Sequence, residues 1–290
     1  MSQTDSSAQA ALNARRAHPS AGFALIASEL SVLYRRRRTW AMLAALAAVP
    51  ILIAVAVRVT SRSSAGRGPA FLDQITHNGL FVGLTALIVA IPLFLPLTIG
   101  VVAGDTIAGE ASHGTLRYLL IAPAGRVRLL AVKYVGAAVF SISATLAVVI
   151  SGTVIGIALF PVGPVTLLSG DTIDIGQSIV RLAVIGAFVT VSLLGLCAIG
   201  LFVSTLTDVP VGAMAATIVL AVASQVLDQI PQLDWLHPWL FSHYWLDFGD
   251  LLRQPIAWTS FGDNAVLQLG YFAVFAALAY GRFVTKDVLS

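Results

Sequence analysis

The chain has 290 residues, of which 58% are hydrophobic and 11% charged, and its mean hydropathy is +0.89. A soluble domain carries about 25% charged residues, so this composition excludes a water-soluble fold and leaves one membrane domain with no room for a large soluble one. A single cysteine, Cys197, set in an apolar run, excludes an internal disulfide framework and a cysteine metal cluster.

Residues 1–20 are polar and rich in Ser, Ala and Gln, the composition of a disordered cytosolic tail. The first apolar run starts too far in, and is too long, for a signal peptide. The remainder, 21–290, reads as one six-span domain. From Phe23 the apolar residues Phe23, Ile26, Leu30 and Leu33 follow helical spacing, with Ser28, Glu29 and Ser31 toward another face. This predicts an amphipathic elbow helix on the membrane surface. Arg35, Arg36, Arg37 and Arg38 follow at once, and read as a topology anchor rather than a specific lipid or nucleic-acid site.

Six stretches are apolar enough to cross a bilayer, which takes about 20 residues: Trp40–Val57, Leu80–Ala103, Val135–Phe160, Ile179–Leu206, Val211–Leu227 and Ala265–Phe283. Pro92 and Pro96 predict a kink or a broken turn in the second. With both termini inside, 12 of the 17 Lys and Arg residues are cytosolic and 5 external, Arg58, Arg62, Arg67, Arg181 and Arg253. The positive-inside rule counts basic residues and favours this orientation.

Between the second and third spans, Gly104 to Lys133 gathers charge, glycine and proline. Asp105 or Thr106 can cap a short helix that Gly114 ends, and Thr115 can cap another over 116–122 that Pro123 closes. Such a segment is either a docking knob for a soluble partner or an ordinary basic loop. Arg126, Arg128 and Lys133 fit anchors of the third span at the headgroups.

Between the fifth and sixth spans, Pro231, Pro238 and Pro255 divide an aromatic segment into pieces too short to cross. They predict either an external re-entrant pair of short helices or a simple aromatic belt, with Trp235, Trp239, Tyr244, Trp245 and Trp258 as boundary aromatics. Span centres hold Ser, Thr, Gly and Cys197 rather than acids or bases, unlike carriers coupled to protons or ions. No Gly-x-x-x-x-Gly-Lys-Ser/Thr, His-Glu-x-x-His or Gly-x-Ser-x-Gly occurs, so the chain has no phosphate loop of its own, no zincin motif and no serine-hydrolase elbow.

Glu110, His113-Gly114-Thr115-Leu116, Leu119-Leu120, Pro123, Arg126 and Lys133 together resemble the signature between the second and third spans of bacterial ABC transporter permeases of the type-two exporter class. Gly200-Leu201-Phe202 with Ser204, and the ending Phe283, Lys286-Asp287-Val288, are similar to further, looser motifs of that class. The resemblance implies an all-α polytopic permease in the plasma (inner) membrane. It also implies a cytosolic coupling helix, around Ile107, Glu110, Ser112, His113, Gly114 and Thr115, that docks a separate ABC ATP-binding subunit. ATP and Mg would then belong to that subunit, this chain would bind no cofactor and be no enzyme, and a second permease copy or homologous permease would pair with it. The competing readings are a six-span scaffold or assembly factor that moves nothing and, more distantly, an intramembrane hydrolase.

Overall fold

The computed structural model of the chain describes residues 20–60, 75–76, 78–114, 125–166 and 169–285. The expected tail, Arg62, Arg67, Thr115 and the expected helix over 116–122 lie outside these described residues. The helices are α1 (Ser20–Arg35), α2 (Arg37–Thr60), α3 (Phe81–Val89), α4 (Leu95–Ser112), α5 (Arg126–Leu159), α6 (Ile175–Leu206), α7 (Pro210–Asp228) and α8 (Thr259–Thr285). A π-helical turn, Ala90–Phe94, joins α3 and α4 into one span. The described residues are thus all-α in architecture, with six helices among them long and apolar enough to cross a membrane. A small antiparallel hairpin, β1 (Val165–Thr166) with β2 (Thr172–Ile173), follows α5.

Several helices outrun the hydropathy that announced them, the second span reaching Ser112 rather than Ala103. The third span begins at Arg126 rather than Val135, and the sixth at Thr259 rather than Ala265. Asn264 therefore lies inside a helix, fully buried, and not in the external loop where the span boundary had left it. The span formed by α3 and α4, together with α6, makes the centre of the bundle, and α2, α7 and α8 pack around it.

The break at the two prolines has a clear cause. Pro96 has no N–H to offer the carbonyl four residues back, that of Pro92, and a bare carbonyl in an apolar interior is costly. Gln225 of α7 supplies the donor, its Nε2 lying 2.9 Å from the Pro92 oxygen. The Leu95 N–H reaches back five residues to Ala90, so the turn widens instead of losing its bonds.

Close approach is made by small residues. Gly79 and Gly83, four apart, face Gly152 and Gly156, also four apart, and a Cβ on Gly152 would lie 2.7 Å from the Gly83 Cα. This is the small-xxx-small geometry by which membrane helices gain van der Waals contact.

At the end of the bundle opposite α1, residues 231–252 form three 3-10 segments, Pro231–Leu233, His237–Trp239 and His243–Leu252, in place of the expected two short helices. Trp235 and Trp239 remain exposed, but Trp245 is 2% exposed and is no boundary aromatic. Its Nε1 donates to the Ser192 carbonyl at 2.9 Å, and Ser192 lies about 25 Å along α6 from its first residue. The segment therefore wedges to the middle of the fourth span. Gln268 holds it there, donating to the Phe241 carbonyl at 2.9 Å while accepting from the Gly195 N–H at 3.1 Å. Arg181 closes the wedge's far end by donating to the carbonyls of Leu251 and Arg253, at 2.8 and 2.7 Å.

Candidate functional site

At the α1 end, three elements meet around six charged side chains: Glu29, Arg36 and Arg38 from the N-terminal region, Asp105 and Glu110 from α4, and Lys133 from α5. The sequence makes the meeting possible in a simple way. Glu29 is the one acid on a helix whose neighbouring turns carry Ile26, Leu30 and Leu33, and all four are partly buried on the face toward the bundle. Phe23, expected on that face, is 77% exposed. Gly136 lets α1 approach, with the Glu29 Cγ only 3.4 Å from where a Cβ would stand. The corner into α2 is pinned by Thr39, whose hydroxyl donates to the Leu33 carbonyl at 2.6 Å, and by Trp40, whose Nε1 donates to the Tyr34 carbonyl at 2.8 Å.

Lys133 is the centre. It is 4% exposed, and its Nζ donates to both Glu29 oxygens at 2.9 Å and to Glu110 Oε1 at 3.0 Å. The expected headgroup anchor is instead a buried ammonium bridging two helices to a third, since two carboxylates within reach offset the desolvation that would otherwise drive it outward. Beside it Asp105 receives Arg36, at 2.9 Å, and Arg38. Three cations and three anions thus share one hollow, and its charge is balanced. Asp105 is not the cap of a separate short helix: α4 continues in helical conformation from Leu95 to Ser112, because Gly104-Asp105-Thr106 contains no proline to end it.

That last stretch of α4 is gripped from the other side by Ser204 of α6. The Ser204 hydroxyl donates to the Gly104 carbonyl at 2.7 Å and accepts from the N–H groups of Ile107 and Ala108, each at 2.9 Å. It sits where the Ala108-to-Gly104 bond would close, a side chain inserted into a helix ladder. On α7 the Met214 backbone packs against Gly104, where a Cβ would come within 2.8 Å of the Met214 Cα.

The residues expected to dock a partner therefore divide. Ile107 is fully buried beneath Ser204, and Glu110 turns inward to Lys133. Ser112, His113 and Gly114 are exposed at the tip, where Gly114, at φ +69, ends the helix in the left-handed conformation that glycine allows. The His113 Nδ1 lies 2.6 Å from the Gly109 carbonyl, so the tip is ordered by its own last turn. Arg126 lies at the start of α5 and donates to the Phe283 carbonyl at 3.3 Å, which ties the third span to the end of the sixth. Arg35, Arg37 and Arg128 are exposed or partly so. Reading the sequence missed Glu29, Asp105 and Ser204 as members of one site. Glu29 was expected on the polar face with Ser28 and Ser31, but it lies on the face of Ile26, Leu30 and Leu33, where its three- and four-residue spacing from Ile26 and Leu33 was the available signal.

The cluster is a tie: α1, α4 and α5 cannot separate at this end without leaving charges unpaired. No curated protein matches the chain closely enough to extend this. The family described as ABC-2 family transporter protein matches residues 23–288, from the start of α1 past the end of α8, and the chain belongs to that family of multi-pass membrane permeases.

Proposed function

We propose that the chain is the permease subunit of an ATP-driven ABC exporter, powered by a separate ATP-binding subunit that docks at the α1 end. In this reading that end and both termini are cytosolic, the membrane is the plasma membrane, and ATP and Mg are held by the docked subunit. A second permease, identical or homologous, completes the path. The observation that carries the reading is the construction of α4. Its tip, Ser112 to Gly114, is exposed, while the turn above it is fixed to α1 and α5 through Lys133 and to α6 through Ser204. A force applied at the tip is thereby delivered to three other helices, and through the π turn to the half of the span beyond it. That is the mechanical task of a permease driven from outside.

Glu110 belongs to this transmission and not to the contact itself, so reversing its charge disrupts the Lys133 tie before it informs on docking. The tip is the place to test. The full chain is co-expressed with a candidate ABC ATP-binding subunit and purified in detergent, with Ser112→Lys and His113→Glu as variants. Both positions are exposed, and such substitutions ordinarily change stability by less than about 0.5 kcal/mol. The expected result is normal yield and melting with co-purified ATPase reduced about tenfold, as charge mismatch at a contact produces. Wild-type association by both variants, or no ATP hydrolysis dependent on the permease in reconstituted vesicles, overturns the reading.

A further inference from the structure

Along α8 a second feature lies well away from the ion-pair cluster. Asp263, Gly270, Tyr271 and Phe275 fall on one side of the helix, and Trp239 and Tyr244 of the 3-10 segments face them across a groove of about 750 Å³. That volume lies inside the range of roughly 300–1,000 Å³ found for small-molecule sites. The walls are fixed in advance. The Tyr271 hydroxyl donates to the Trp239 carbonyl at 2.7 Å, its ring lies parallel to Phe275 at 5.9 Å, and it meets Phe241 edge-on at 5.5 Å. The floor is open because Gly270 has no side chain, and a Cβ there would meet nothing within 4 Å.

Charge gives the groove a sign. Among the described residues, Asp263 is its one charged lining residue, and no lysine, arginine or histidine stands in its walls. Asp263 and Asp247 both act on the Tyr244 hydroxyl, which burial first and then these two carboxylates hold above the usual phenol range. Arg253, the nearest arginine in sequence to this segment, pairs with Asp250 at 3.3 Å. The long axis has a sense as well. Asp263 is the fifth residue of α8, and the wall continues to Phe275, about 18 Å further along the helix axis. A charged head at the membrane boundary with an apolar body reaching inward has this same arrangement.

An aromatic groove alone would suit any lipid chain, and an exposed carboxylate alone would be unremarked. Together they discriminate. A neutral hydrocarbon gains nothing from Asp263, and an anion is repelled by it. A cation gains both the carboxylate and the π faces of Trp239, Tyr244 and Tyr271. We propose that this groove binds hydrophobic organic cations drawn from the membrane, with Asp263 holding the charge and the Trp239–Tyr271–Phe275 wall holding the body. The site names a class of cargo for the exporter reading and in that respect rests on it.

Binding without ATP or any partner subunit keeps the two claims apart, since failure here leaves docking and ATP-driven transport untouched. Radiolabelled tetraphenylphosphonium is equilibrated with the purified full chain in detergent, against tetraphenylborate, an anion of nearly the same shape. The chain should bind the phosphonium saturably and about tenfold or more tightly than the borate. Asp263→Asn should remove most of that preference. Gly270→Leu should abolish phosphonium binding with unchanged melting, because its side chain enters open space. If Asp263→Asn fails to fold, Gly270→Leu still decides. Equal binding of the two ions, unchanged phosphonium binding in Gly270→Leu, or loss of binding only in Asp247→Asn, which would place the cation outside this groove, overturns the proposal.

Discussion

The two ends of this bundle are held by different chemistry. At the α1 end, cohesion comes from full charges: Lys133 between Glu29 and Glu110, and Asp105 between Arg36 and Arg38. At the opposite end a larger irregular segment is held by neutral donors, the Trp245 indole and the Gln268 amide, together with one arginine aimed at carbonyls. Ion pairs are long-range and tolerate sliding, whereas an indole bond to a mid-span carbonyl fixes one position. A helix end that must transmit movement and a plug that must hold its place call for different fasteners, and this chain uses both.

The sharpest way to break the comparison is to remove the buried cation. Lys133→Met keeps the side chain's bulk but leaves Glu29 and Glu110 facing each other, each about a fifth to a quarter exposed. Removing one partner of a buried pair costs about 3–5 kcal/mol, and the partial exposure of both acids places the expected loss near the lower figure. Adding Glu29→Gln and Glu110→Gln to Lys133→Met should recover most of it, because a neutral cluster leaves no uncompensated charge. Arg36→Gln should cost under about 1 kcal/mol, since Arg36 is half exposed and Arg38 still serves Asp105. Thermal unfolding in detergent reads all three, and equal losses from Lys133→Met and Arg36→Gln would mean that the buried cation is no centre at all.

At the other end the expected effect is smaller and local. Trp245→Phe removes the donor to the Ser192 carbonyl and the ring that fills the space beside it. A lost hydrogen bond and a small void together amount to about 1–2 kcal/mol. Trp235→Phe, at a position 71% exposed, should stay within about 0.5 kcal/mol. The two tryptophans look alike in the sequence, and melting temperature separates them. If they respond equally, the wedge is not seated on α6.

This pair also shows where the sequence stops informing. Six spans were legible because each is a long apolar run, and the break in the second was legible because Pro92 and Pro96 remove donors wherever they stand. Helical spacing put Ile26, Leu30 and Leu33 on one face of α1, and it could equally have carried Glu29 there. It could not say that Glu29 meets a lysine 104 residues away, since periodicity orients a face without naming its neighbour. The expected cap at Asp105 failed for a related reason. An acid before a polar turn is a helix start in water, but here α4 was already under way and Arg36 and Arg38 supplied the acid's partners from outside. The hairpin Val165–Ile173 went unseen because strands of two residues leave no period to read.

The smallest effect concerns Asp247, on the rim of the wedge. Burial pushes its carboxyl above the ordinary carboxylate value of 3.8, the neighbouring Asp250 and Asp228 push the same way, and His243 opposes them. The sign follows from proton binding. Below the unfolded value both states hold the proton and nothing is lost. As pH rises from about 4 through the raised folded value, the unfolded chain ionises freely while the folded one ionises against a penalty, so stability falls and stays lower at neutral pH. The Asp247 side chain is crowded on its segment side yet open to water on the other, so its desolvation is partial and the penalty is expected below about 0.5 kcal/mol. Asp247→Asn should then raise the melting temperature slightly at roughly pH 7, leave it unchanged at roughly pH 4, and keep most of its benefit in about 1 M salt, because burial, which salt does not screen, is the largest cause. A variant that melts lower at neutral pH would show Asp247 to be a structural acceptor. A gain of equal size at both pH values would show that charge has no part in it.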